Sequence, residues 1–149
     1  MRRRVALIAI PLAAVATLGL MSVASAAPAG GSSTILTGGK EVPGPGDPNG
    51  LGRAAVRPEP LLSQLCVSIR YFGIEPPTGA HIHEAPAGVA GDIVVDFTPL
   101  IATSDPSYIE GCVPVDTVLA RDIKKNPEDY YVNVHNAVYP AGAIRGQLR

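Results

Sequence analysis

Glycine and proline interrupt this chain so often that long regular segments are excluded over most of its length. The 149 residues include 16 Gly and 15 Pro, and from Thr34 onward they separate short apolar stretches that show no sustained helical period. The stretch LSQLCVSIRYF, residues 62–72, alternates with a period of two, which places every second residue from Leu65 to Tyr71 on one face of a strand. The pattern predicts a domain built from strands.

Seven or eight strands and one short helix account for the chain from Thr34 onward. Residues 118–125 (VLARDIKK) predict the helix, with Asp116 or Thr117 as its N-cap and Asn126-Pro127 as its stop. Strands at this spacing favour an all-β, Greek-key antiparallel β-sandwich or flattened barrel. The predicted strands are residues 35–42, 52–57, 62–72, 80–84, 92–97, 108–115, 130–135 and 143–148.

The first 26 residues have the features of a signal peptide. Three arginines at positions 2–4 precede an apolar run over residues 5–23, and the Ala-Ser-Ala of residues 24–26 fits the site cut by signal peptidase. A membrane anchor is the alternative, because the run is nearly long enough to span a bilayer. A proline and a glycine within the run favour cleavage, so we expect a secreted or extracytoplasmic protein with no stable membrane insertion.

The remaining chain is expected to form one domain. Residues 27–33 (APAGGSS) predict a flexible leader, and residues 34–149 form a β domain that is long enough to bury a core. Without the three leader arginines, the 12 basic and 13 acidic residues leave a net charge of about −4. No basic cluster remains, which argues against a nucleic-acid partner and against anionic lipid surfaces. The expected partner is an unknown extracellular protein or small ligand.

The two cysteines, Cys66 and Cys112, predict one disulfide. An even number of cysteines in an exported chain favours a bridge. A thiol nucleophile or a metal ligand is the alternative, but neither cysteine has CxxC spacing or a neighbouring histidine. A bridge over a loop of about 46 residues would contribute at most roughly 4 kcal/mol to stability.

Three segments together resemble the CHRD domain, a module repeated in chordin and found singly in many exported microbial proteins. They are LTGGKEVPGPGDPNGLGRAAV, GAHIHEAPAGVAGDIVVDF and NPEDYYVNVHNAVYPAGAIRGQLR. The resemblance extends from about Ile35 to Arg149. It implies an immunoglobulin-like β fold, but the microbial members have no settled activity, and a fold does not by itself specify a function.

All three histidines of the chain lie in two of these segments. His81 and His83 are separated by one residue, so a strand directs both side chains to the same face, where they start about 6 to 7 Å apart. In YYVNVH, His135 shares a face with Tyr131 and Asn133. If this strand pairs with the first, His135 can supply a third nitrogen. Three imidazoles suit zinc or copper, with a fourth position left for water or another group.

Residues near these histidines are candidates for a supporting role. Histidines in β domains also commonly satisfy buried backbone groups with no ion present, so a structural role stays open. Asn133 is expected to hold a loop or orient a histidine, and Arg145 to pair with Glu84 or Asp92 rather than attract a ligand. His81 and His83 are expected on an inner or rim-facing side, near His135 and Arg145.

The HIHE stretch also resembles the HxHE stretch of Cu,Zn superoxide dismutase, where such histidines bind copper. The AIRG segment, residues 143–146, is similar to the part of that family that carries an arginine near the copper. The chain departs from that family because it has three histidines in total, whereas that enzyme uses four for copper alone. Full dismutase chemistry is therefore not expected.

No catalytic residues are predicted. The sequence has no GxSxG, no phosphate-binding loop and no carboxylate pair in a fitting context. Two hypotheses remain. The first is an exported, non-catalytic binding or structural module of the CHRD type. The second is a copper- or zinc-binding protein that uses His81, His83 and His135, with weak dismutase-like redox activity as a further option.

Overall fold

The computed structural model describes residues 30–102, 104 and 107–149. The predicted signal peptide, residues 1–26, lies outside the described residues, as does the start of the predicted leader. The first strand begins at Ser32, whereas the predicted strand began at residue 35 and the predicted leader extended to residue 33. Ser32 and Ser33 already pair with the next strand along the chain. In the described part of the chain, every helix is too short or too polar to cross a membrane.

The described residues contain eight antiparallel strands, which form one sheet that curves into a nearly closed barrel. The strands are β1 (Ser32–Thr37), β2 (Leu51–Glu59), β3 (Gln64–Phe72), β4 (Pro77–Glu84), β5 (Asp92–Asp96), β6 (Tyr108–Pro114), β7 (Tyr130–Asn136) and β8 (Ile144–Gln147). Their order in the sheet is β5-β4-β7-β8-β1-β2-β3-β6. The all-β prediction is confirmed, and of the two predicted architectures the barrel is the one observed.

The hydrophobic core fills the barrel interior and follows the predicted alternation. Residues 65, 67, 69 and 71 of β3 all belong to it, together with Ala80 and Ile82 of β4 and Val132 and Val134 of β7. Because side chains alternate across a strand, the residues between these positions on β4 and β7 face outward. The histidines therefore lie on the outer face of the barrel, whereas an inner or rim-facing side was expected.

Within the described residues, two short α-helices accompany the barrel, where one was predicted. The predicted helix is α2 (Thr117–Lys125), and the Asp116 side chain caps it by accepting from the Val118 and Leu119 backbone amides. The helix that the sequence did not reveal is α1 (Thr98–Ile101), a single turn after β5. Four residues are too few to produce a helical period, so no element was predicted for this segment.

The predicted disulfide is confirmed. Cys66 of β3 and Cys112 of β6 lie directly opposite each other in the sheet and are bonded. The bridge joins an edge strand to its neighbour, so it secures the edge at which the barrel is open. Neither cysteine is free to act as a nucleophile or a metal ligand.

Candidate metal centre

The pairing of β4 with β7 brings the three histidines together. His83 lies opposite Tyr131, His81 opposite Asn133, and His135 opposite Gly79, two residues before His81. The ring centroids of His81 and His135 are 4.9 Å apart, those of His81 and His83 5.7 Å, and those of His83 and His135 6.3 Å. One ring nitrogen from each histidine lies within 4.8 Å of the others.

One nitrogen of each ring is held by a hydrogen bond to the surrounding structure. His83 Nδ1 lies 2.9 Å from the Gly91 carbonyl oxygen, and His135 Nδ1 lies 3.1 Å from the Pro140 carbonyl oxygen. A carbonyl only accepts, so both Nδ1 atoms carry the proton and donate it. These contacts fix the tautomer of His83 and His135 and leave each Nε2 with a free lone pair.

The contacts of His81 favour the opposite tautomer. Its Nε2 lies 3.4 Å from Asp96 Oδ1 and 3.4 Å from Thr98 Oγ1. The carboxylate is an acceptor, so the proton belongs on Nε2 and the lone pair on Nδ1. Thr98 stands at the start of α1, which means that the helix missed in the sequence positions this contact.

The remaining nitrogens have no hydrogen-bond partner among the described residues. His81 Nδ1, His83 Nε2 and His135 Nε2 are all buried and unpaired. An unpaired buried polar atom is costly, and three acceptor lone pairs in one place call for a cation or a donor. A metal ion with bonds of about 2.0 to 2.1 Å holds nitrogens about 3.3 Å apart in tetrahedral geometry. Small ring rotations would close the observed spacing, so the three residues fit such an ion.

Burial keeps the rings neutral, which is the form that a metal requires. It lowers the pKa of His81 to about 4, and the neighbouring His135 adds to the effect. Burial also lowers the pKa of His135, and it lowers that of His83 with the help of the Arg145 charge. The Arg145 charge thus contributes to the lowered pKa of His83, where its effect is secondary to that of burial.

Tyr131 and Gly91 support His83 from two directions. The Tyr131 ring is stacked on the His83 ring with centroids 4.7 Å apart. The Tyr131 hydroxyl accepts a hydrogen bond of 3.1 Å from the Gly91 amide, while the Gly91 carbonyl receives His83 Nδ1. A side chain at position 91 would overlap with the Glu84 carbonyl. Glycine is therefore required to bring this loop close enough to orient the histidine.

Arg145 lies near the site, but its predicted ion pair is wrong. Its Nη2 donates to the backbone carbonyls of Val89 at 2.7 Å and Pro86 at 3.4 Å instead of pairing with Glu84 or Asp92. Its guanidinium carbon lies 3.3 Å from the Tyr131 ring centroid. The loop after β4 folds back over the sheet, so its backbone carbonyl oxygens, and not carboxylates, accept the hydrogen bonds of Arg145.

Glu84 itself lies away from the histidines. It is exposed at the end of β4, and alternation directs it to the face opposite His83. Its charge acts on Tyr130, whose pKa is raised by burial and by the Asp122 carboxylate, with Glu84 adding to the effect. The structure therefore does not bring Glu84 to the cluster.

Glu41 is the buried residue near this site that sequence reasoning missed. It is 6 % exposed and accepts two hydrogen bonds from Asn133 Nδ2, at 2.9 and 2.8 Å. Asn133 thus holds a loop, one of its two predicted roles. Burial raises the pKa of Glu41 to about 7, although Arg145 and Asn133 oppose the shift. An isolated glutamate between a lysine and a proline-rich loop carries no sequence signal of burial.

Comparison of the sequence with known protein families gives one match. The sequence profile described as the CHRD domain matches residues 32–148, a span that includes all eight strands and the three histidines. No curated protein matches the chain, and no solved structure matches it.

Proposed function

The chain belongs to the CHRD domain family, and from this premise we propose that it is an exported binding module that holds one copper or zinc ion through His81, His83 and His135. One observation carries the proposal. Each of the three rings has one buried nitrogen without a hydrogen-bond partner among the described residues, and one nitrogen of each ring lies within 4.8 Å of the others. The second nitrogen of each ring contacts a backbone carbonyl or polar side chains. Metal-binding histidines in proteins have this second contact as a rule.

The ligand set favours copper(II) over zinc. The affinity of nitrogen ligands for the divalent ions of the first transition series is highest for copper(II). Both cysteines are consumed by the disulfide, so there is no thiolate to favour copper(I). His81 and His135 are only partly buried, which leaves a fourth position accessible to water or to a small ligand.

The proposed role is binding rather than catalysis. Three histidines are too few for the four copper ligands of Cu,Zn superoxide dismutase, so we assign no dismutase reaction to this chain. The disulfide supports the proposed export, because such bridges persist in oxidising compartments. The identity of an extracellular partner stays a prediction.

Elemental analysis of purified protein tests the proposal. After equilibration with copper(II) or zinc and removal of excess metal, we expect one ion per chain. His83→Ala should lower the affinity for the ion at least about 100-fold, because the loss of a side chain that bonds the ion costs at least as much as the loss of a contact that orients such a side chain. Glu84→Gln is the matched control, since Glu84 lies close in sequence and faces away. Absence of stoichiometric metal, or retention of the ion by a folded His83→Ala variant, would contradict the proposal.

A further inference from the structure

A cavity of about 780 Å³ lies beside the histidine cluster, on the side of Arg145. Its volume falls within the range of small-molecule sites. The cationic side chains that line it are Lys40, Arg53, Arg145 and Arg149, against one carboxylic side chain, Glu41. Within the described part of the chain, none of the four forms an ion pair, since the two pairs there are Arg57 with Glu59 and His81 with Asp96. The cavity is therefore strongly positive.

Arg145 is the fixed element of this cavity. Arg145 is 2 % exposed. Two backbone carbonyls and the Tyr131 ring hold its guanidinium in place. Its Nη1 is buried and has no hydrogen-bond partner. Glu41 acts on Arg145 through its charge without hydrogen bonding to it. A buried arginine nitrogen that lacks an acceptor calls for one, and oxyanions match the planar donor fork of arginine.

A second unpaired group in the cavity has the opposite polarity. Gln147 Nε2 donates to the carbonyl oxygens of Ala85 at 2.8 Å and Glu128 at 2.7 Å, which fixes the orientation of the amide. Its Oε1 is buried and unpaired. The cavity thus offers a donor at Arg145 and an acceptor at Gln147, and both lie in its lining.

We propose that this cavity binds a small molecule that carries an oxyanion, a phosphate or a carboxylate, and a hydroxyl group. The oxyanion takes its hydrogen bonds from Arg145, with Lys40, Arg53 and Arg149 supplying further positive charge at the rim. The hydroxyl donates to Gln147 Oε1. The site is distinct from the metal centre, because its lining contains none of the three histidines.

Calorimetric titration of the metal-free protein tests this inference with three probes. Inorganic phosphate represents the phosphate class, citrate carries carboxylates together with a hydroxyl, and glycerol is the uncharged control. The anion that binds with the higher affinity shows whether the site prefers a phosphate or a carboxylate, and glycerol should not bind. Use of metal-free protein keeps the outcome independent of whether the chain binds copper or zinc.

Two double variants locate the binding. Arg53→Gln with Arg149→Gln removes two charges from the rim of the cavity and should weaken anion binding about tenfold, since each exposed charge contributes up to about 1 kcal/mol. Arg70→Gln with Arg121→Gln removes two charges from exposed positions outside the cavity and should change it less than about twofold. No saturable binding of either anion up to about 10 mM, glycerol binding of equal strength, or equal losses in both variants would overturn the inference.

Discussion

The His83 ring lies parallel to the Tyr131 ring, with centroids 4.7 Å apart and planes inclined by 5°. Tyr131 stands on β7, between β4, which carries His83, and β8, which carries Arg145. The guanidinium carbon of Arg145 is 3.3 Å from the centroid of the same tyrosine ring. One aromatic side chain therefore separates the candidate metal centre from the cationic cavity and contacts both.

Tyr131→Phe isolates the contribution of the hydroxyl to this arrangement. The ring stack should persist, but the half-buried Gly91 amide would lose its acceptor, at a cost of about 1 kcal/mol in the free energy of unfolding. Metal affinity should fall several-fold, because the Gly91 carbonyl would orient His83 less well. Urea unfolding and competition with a chelator measure the two effects.

Tyr108→Phe is the control for this substitution. Tyr108 lies on β6, at the opposite edge of the sheet from β5, so its substitution should leave metal affinity unchanged. Equal metal affinity in Tyr131→Phe and wild type would contradict the supporting role of Gly91.

The stability of the metal-free protein should fall in mild acid because of His81. Its pKa is about 4 in the folded chain and about 6.5 in the unfolded chain, so the unfolded state binds more protons between these values. The contribution is complete above about pH 6.5 and is lost as the pH falls towards 4, by an amount of the order of 1 to 3 kcal/mol. Urea unfolding across this range should show a shallower decline for His81→Asn. Identical slopes would mean that burial does not control this histidine.

Glu41 should affect the pH dependence of stability in the opposite direction. Its pKa of about 7 in the folded chain lies above its value of about 4.5 when unfolded, so its contribution to stability is lost as the pH rises from 4.5 to 7. Glu41→Gln should therefore gain roughly 1 to 3 kcal/mol over wild type between about pH 4 and pH 8. Glu110→Gln, at an exposed position on β6, should show no such trend. A Glu41→Gln difference that does not change with pH would contradict the prediction.

The disulfide should stabilise the barrel without affecting the site. Replacing Cys66 and Cys112 together with serine should lower the free energy of unfolding by about 2 to 4 kcal/mol, because the open edge of the barrel loses its link. Metal stoichiometry should remain at the wild-type value, since the bridge lies on β3 and β6. Loss of the metal from a folded double variant would show that the site depends on the edge.

Alternation along single strands made much of this structure predictable. It placed Ile82 opposite to His81 and His83, and it grouped Tyr131, Asn133 and His135 on one face. It could not decide which strands are neighbours, so the meeting of His135 with the other two histidines rested on an assumed pairing of β4 with β7. That pairing is observed.

Loops account for what the sequence did not predict. The partners of Arg145 are backbone carbonyls of the segment after β4, and any residue type supplies a carbonyl, so the sequence carried no sign of them. Glu41 reaches Asn133 across 92 residues of chain, and nothing local in the sequence marks such a contact. The histidines were expected on an inner or rim-facing side, but they lie on the outer face, where loop carbonyls of Gly91 and Pro140 contact two of the rings.

Titration of zinc into metal-free protein labelled with ¹⁵N-histidine tests the central claim most directly. Before zinc is added, the protonated nitrogens should be Nε2 of His81 and Nδ1 of His83 and His135. At one zinc ion per chain, His81 Nδ1 and the Nε2 atoms of His83 and His135 should change shift together and then saturate, while the protonated nitrogens keep their protons. The account would be contradicted if these three nitrogens did not respond at one equivalent, or if the response fell on the nitrogens that the hydrogen bonds hold.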